Sequence, residues 1–134
     1  MRQLLIVILF VSSFQATRAQ KFIKDTLPTS KVIHQISYYW RIDSLAGNGF
    51  RLYSVNELLK SKLDNVSKDF LIEQLGKPNE LRKTNHGTEY VYYFFDIEAM
   101  PKGYDAPLAC WYIAFRFKMN ENNALEIVEG DIDR

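Results

Sequence analysis

The chain has 134 residues, 47% hydrophobic and 25% charged, values that exclude a disordered, collagen-like or wholly membrane-embedded protein. Its 17 Lys and Arg nearly balance 16 Asp and Glu, so no basic excess argues for a nucleic-acid partner. One cysteine, Cys110, excludes an internal disulfide and any Cys-rich metal knuckle.

The N-terminus reads as an export signal. Arg2 precedes the unbroken apolar run Leu4 to Val11, and small residues follow at Ala16-Thr17-Arg18-Ala19. A positive start, a short apolar core and a small-residue end predict a signal peptide over 1–19, cleaved after Ala19. That core is shorter than the ~20 apolar residues needed to cross a bilayer. Its removal takes Arg2 and Arg18 with it, so 17 basic groups become 15 against 16 acidic. No cysteine sits at the cleavage site, so the mature chain is expected to carry neither a lipid anchor nor a transmembrane helix. Residues 20–30 read as a flexible lead-in, and 31–134 as a single domain.

Between Lys31 and Asp43, Ile33, Ile36 and Trp40 recur at helical spacing. The spacing predicts a helix, although the run Tyr38-Tyr39-Trp40 suits a strand equally. Gly47-Asn48-Gly49 is a turn signal. Ser54 with Glu57 three residues on predicts a capping box that starts a helix, with Tyr53 and Leu58 as its hydrophobic staple. A second helix is expected from the cap Ser67, with Val66 and Leu71 stapled, Leu71 and Leu75 on one face, Gly76 as stop and Pro78 blocking continuation.

Beyond Pro78 the pattern becomes β-like. Glu89–Ile97 is rich in aromatic residues, Cys110–Lys118 alternates, and Leu125–Glu129 supplies a last short strand. Met100–Leu108, with two prolines and Tyr104-Asp105, reads as a long structured connection. The order predicts an α+β domain with two short helices packed on a three-stranded antiparallel sheet.

The run Asn65-Val66-Ser67 to Leu75-Gly76-Lys77-Pro78, followed by Tyr90-Val91-Tyr92-Tyr93, resembles the BamE (SmpA/OmlA-like) family. These are small envelope proteins of the outer-membrane β-barrel assembly machinery. Ser67 matches the family's Thr/Ser cap, Leu75-Gly76-x-Pro78 its helix end, and Tyr92 its aromatic strand position. The resemblance covers roughly residues 54–118 and implies two helices against three antiparallel strands, a fold shared with β-lactamase inhibitor proteins. Asn65 stands where the family has Gly, its lipid-bearing Cys is missing, and residues 20–53 are an unmatched N-terminal extension. Such likeness of fold does not carry function.

The residue pattern points to no catalytic or metal chemistry. His34 and His86 lie far apart, and nothing pairs with Cys110 at a nucleophile–base spacing. No phosphate loop or hydrolase motif occurs. Asp64/Asp69 and Glu129/Asp131/Asp133 read as solvated surface and a frayed acidic C-terminus. Neither enzyme activity nor a cofactor or metal is expected. Surface aromatics are the remaining signal: Tyr92 and Tyr112, if residues 31–53 do not cover their sheet face, and Tyr104 with Asp105 on the connection. The leading expectation is an exported, non-enzymatic binding or assembly protein of a bacterial envelope, with a protein partner and no nucleic acid, acting in the periplasm or outside the cell. Alternatives are an inhibitor or immunity-like protein for a secreted enzyme, or a small-molecule or lipid-binding module.

Overall fold

The computed structural model describes residues 26–101 and 109–133. Three helices come first: α1 Thr29–Ile42, α2 Phe50–Lys60 and α3 Lys68–Leu75. Four strands follow, β1 Glu80–Thr84, β2 Gly87–Asp96, β3 Ala109–Lys118 and β4 Glu126–Asp133, with a short 3-10 turn at Ile97–Ala99 after β2. The α+β class holds; the helix expected between Lys31 and Asp43 is present as α1, so three helices rather than two pack on the sheet, which has four strands rather than three. The expected signal peptide and the pair Tyr104-Asp105 lie outside the described residues.

α1 is a structural element rather than an appendage. Its stripe of Val32, Ile33, Ile36 and Trp40 is buried in one core with Val55 and Leu58 of α2, Leu71 and Leu75 of α3, and Tyr92, Ile113 and Phe115 of the sheet. The residues before it also belong to the fold, so the expected lead-in over 20–30 gives way before α1. Lys62 N–H donates to the Leu27 carbonyl (2.9 Å) and Thr29 N–H to the Lys62 carbonyl (2.8 Å). Pro28, at the cap position, has no side chain able to cap. Asp64 does this work from the far end of α2, accepting the Ser30 N–H at 2.8 Å and the Ser30 hydroxyl. An anion at a helix N-terminus also complements its positive end. Asp64 is therefore a cap, not idle surface.

α2 begins five residues before the predicted start, with Gly49 at the cap position in place of Ser54. Gly49, at φ 81°, takes the left-handed turn that glycine tolerates, and Asp43 receives the N–H groups of Asn48 (2.9 Å) and Arg51 (3.2 Å). Ser54 is thus inside the helix and makes no capping box with Glu57, which is exposed. Its hydroxyl accepts the Trp40 indole N–H at 2.6 Å and faces the Phe50 carbonyl at 3.1 Å. Tyr53 is 87% exposed and staples nothing. α3 follows its local signals. Ser67 Oγ accepts the Phe70 N–H at 3.1 Å, and Gly76 ends the helix at φ 84°.

The sheet is antiparallel in the order β1-β2-β3-β4. β1, absent from the sequence reading, holds one large apolar residue, Leu81, among charges; it is an edge strand, where charge discourages unwanted pairing. β4 pairs with β3 as far as Asp133↔Ala109, so the acidic terminus is strand, not frayed chain. Tyr92↔Ile113 and Tyr90↔Phe115 are opposed on the helix side. On the other face Arg82, Glu89, Arg116 and Glu126 lie in one row across all four strands. Residues 31–53 pack on the helix side and leave that charged face uncovered by helix.

Candidate functional site

The sheet tyrosines proposed as contact residues are not free rings. Tyr92 is fully buried, because its register places it under the helices rather than away from them. Its ring meets Trp40 and Phe115 edge-on, with centroids 6.3 and 6.1 Å away. Its hydroxyl donates to the Gly76 carbonyl at 3.0 Å, and burial pushes its pKa above the usual phenol value. Tyr112 does lie on the open face, half-buried. The Arg82 guanidinium covers its ring at 4.5 Å, and the ring rests on Gly130, where any Cβ would collide with it. Ser67, Leu75 and Gly76 serve the end-caps and core of α3, with Pro78 beyond its end.

Ion pairs cover much of the open face. Arg116 bonds Glu89 at 2.7 Å and Glu126 at 3.0 Å. Arg82 bonds Glu80 at 2.8 and 3.0 Å, a paired bond that holds the Arg82 proton more firmly than usual. A shallow depression of about 290 Å³ opens beside this row, near Thr84, His86, Arg116 and Lys118. Among the described residues, no group of three or more His, Cys, Asp or Glu converges as a metal site requires. No helix of the described residues is long and apolar enough to cross a membrane.

The seam between α1 and α2 is different. Arg51 is 1% exposed, and its guanidinium hydrogen bonds are structural. Nε and Nη2 donate to the Trp40 carbonyl at 3.0 and 2.7 Å. Nη1 reaches Asn79 Oδ1 and the Tyr93 carbonyl, both at 2.9 Å. Asn79 Oδ1 also accepts the Tyr93 N–H at 2.9 Å. β1 pairing stops at Val91, so these two side chains satisfy the β2 backbone beyond it. Burial lowers the Arg51 pKa to about 10, against the opposing pull of Asp43 and Tyr92. The group is a cation at neutral pH and fastens both helices to the sheet.

Outside this seam lies the largest run of exposed rings among the described residues. Tyr38 is 62% exposed, Tyr39 48%, Phe50 42% and Tyr53 87%, with Ile42 at 47%. Tyr38 and Tyr39 meet edge-on at 5.5 Å, and Tyr39 reaches across to Phe50 of α2 at 5.8 Å. Tyr53 follows Phe50 by one helical turn, and Ile42 follows Tyr38 by one. At ~200 Å² per aromatic side chain these residues present roughly 500 Å² of exposed surface. That lies near the top of the ~300–600 Å² range for the largest patch of a monomer, where function is common. The sequence reading passed over this corner, yet the signal was there. If Ile33, Ile36 and Trp40 point inward, helical geometry turns Tyr38 and Tyr39 out.

No family model matches the chain, and no curated protein or solved structure matches it.

Proposed function

We propose that the chain is an exported, non-enzymatic binding or assembly protein of a bacterial cell envelope, acting through protein–protein contacts. The contact surface is the aromatic corner formed by Tyr38, Tyr39, Ile42, Phe50 and Tyr53. One observation carries this reading: four rings and an aliphatic side chain, each 42–87% exposed, gather on one corner of a domain whose other described aromatic residues, Trp111 apart, are buried or half-buried. Tyrosine is a favoured anchor in protein interfaces because it combines large apolar area with a hydroxyl. The N-terminal pattern of residues 1–19 supports export, and the BamE-like run from Ser67 to Pro78 supports an envelope setting. The finer form of that resemblance, two helices on three strands, applies to α2, α3 and the sheet core, with α1 as an addition.

A photo-crosslinking amino acid at position 53 in the producing cell tests the reading. The expected result is a covalent adduct with a protein, lost when Tyr39 and Phe50 are replaced by serine. Crosslinking that yields no protein adduct refutes it. Sequencing the mature N-terminus tests export, with Gln20 as the expected first residue.

A further inference from the structure

We infer that the protein seated on the aromatic corner is a second copy of this chain, in a two-fold contact of the α1–α2 faces. The inference rests on the reading above and adds the identity of the partner.

Charge is the first argument. Residues 37–57 hold four charged side chains, Arg41, Asp43, Arg51 and Glu57, and two of them are buried, Asp43 and Arg51 at 1% exposure each. Arg41 and Glu57 are exposed, one of each sign; a Cβ at Gly76 would lie 3.9 Å from the Arg41 Cγ. That puts the Arg41 stem on the α3 side, at the rim of the ring cluster. A two-fold contact places each patch against its own duplicate, so like charges within the patch would repel. Here the rings themselves carry no charge, and the two exposed charges beside them are of opposite sign. A charge-steered partner of different sequence would find one cation and one carboxylate rather than a field of one sign, and an anionic lipid surface would find one cation where interfacial binding uses several.

Area is the second argument. Roughly 500 Å² on each copy gives about 1,000 Å² in total, the lower bound of a specific interface and the size of a weak, reversible one. The chemistry also suits self-contact. Rings with a negative face and positive edge pack offset or edge-on against one another, as Tyr38, Tyr39 and Phe50 already do within one copy. Three tyrosine hydroxyls can find partners across the two-fold axis without burying a charge.

The experiment uses the protein purified in the form its host exports. Sedimentation equilibrium from 1 to 100 μM, concentrations chosen for a contact of this size, is expected to give twice the chain mass at the upper end. Tyr53→Glu and Tyr39→Glu are expected to return the mass to that of one chain, because each puts two carboxylates into the axis region. Lys83→Glu, on the far edge strand, is expected to leave the dimer intact. Both tyrosines are exposed, so far-ultraviolet circular dichroism is expected to be unchanged. A photo-crosslinker at position 53 is expected to join two copies, with the adduct mapping to residues 38–53 of the second. A single-chain mass at 100 μM overturns the inference. So does an adduct to a different protein or to the strands of a second copy, and a different-protein adduct leaves the broader reading standing.

Discussion

The two sides of the α1–α2 pair carry the same kinds of residue to opposite ends. Inward, Trp40 and Arg51 are sealed, the indole bonded to Ser54 and the guanidinium to three different segments. Outward, Tyr38, Tyr39, Phe50 and Tyr53 touch mainly one another and water. Neighbours in the chain, Tyr39 and Trp40 or Phe50 and Arg51, therefore differ by one step of helical rotation. The inner side is fixed because each polar atom has a specified partner. The outer side is held only by its backbone, so its rings are free to serve a contact. Stability should be concentrated on the first side and association on the second.

The inner side breaks most easily at Arg51. Arg51→Ala leaves the Trp40 and Tyr93 carbonyls without that donor and the buried Asp43 without its compensating cation. Removing one partner from such a buried arrangement costs ~3–5 kcal/mol, read as a fall in the urea midpoint. A loss below about 1 kcal/mol would mean that the seam is held by packing alone. Asp64→Ala should cost less, ~1–2 kcal/mol as for other lost caps. Hydrogen exchange should locate that loss at the first turn of α1, whereas Asp64→Asn should restore part of it.

These same residues mark what could be read from the sequence. α3 was legible because its cap Ser67 and its stop Gly76 lie within the helix's own sequence. α1 was legible to within two residues at either end, although Asp64 caps it from 34 residues further along the chain; the start of α2 was not, because Asp43 caps it across a loop. A local rule then selects the nearest Ser-x-x-Glu, and Ser54 was given a role that Asp43 holds. β2 and β3 were legible by their aromatic alternation. β1 was not, since Glu80–Thr84 gains its place by pairing with β2 rather than by burying its own side chains. The candidate site was misread for a related reason. The face on which Tyr92 lies depends on strand register and on where three helices dock, and neither is local. Tyr38 and Tyr39 were recoverable, because the inward stripe of α1 was already identified.

Tyr92 gives a smaller test of the inner side, with a pH dependence. Tyr92→Phe removes the bond to Gly76 O and should cost ~1 kcal/mol. The folded pKa of Tyr92 is raised above its model-compound value of 10.0, so the folded chain keeps the phenol proton after the unfolded chain releases it. The stability held in the protonated phenol is complete below pH 10 and lost as pH climbs towards the folded value. Wild type should therefore lose up to ~1.4 kcal/mol per pH unit there relative to Tyr92→Phe. Arg51, lowered to about 10, contributes a slope of opposite sign in both proteins; because its charge and that of Tyr92 act on each other, the difference reads the Tyr92 phenol together with that coupling. Parallel curves above pH 10 would place the Tyr92 hydroxyl in water.

The smallest expected effect lies on the outer side, and it bears most directly on the comparison. Tyr53 is 87% exposed and heads no cap or staple, so its ring leaves little water behind on folding. Tyr53→Ala should change stability by less than ~0.5 kcal/mol, as surface exchanges generally do. The better helix propensity of alanine offsets part of any lost ring contact. Measured at concentrations where only single chains are present, an unchanged midpoint would assign the ring to association rather than to folding. A loss above about 1 kcal/mol under the same conditions would show that Tyr53 supports its own chain, and the division between a fastened inner side and a free outer side would fall.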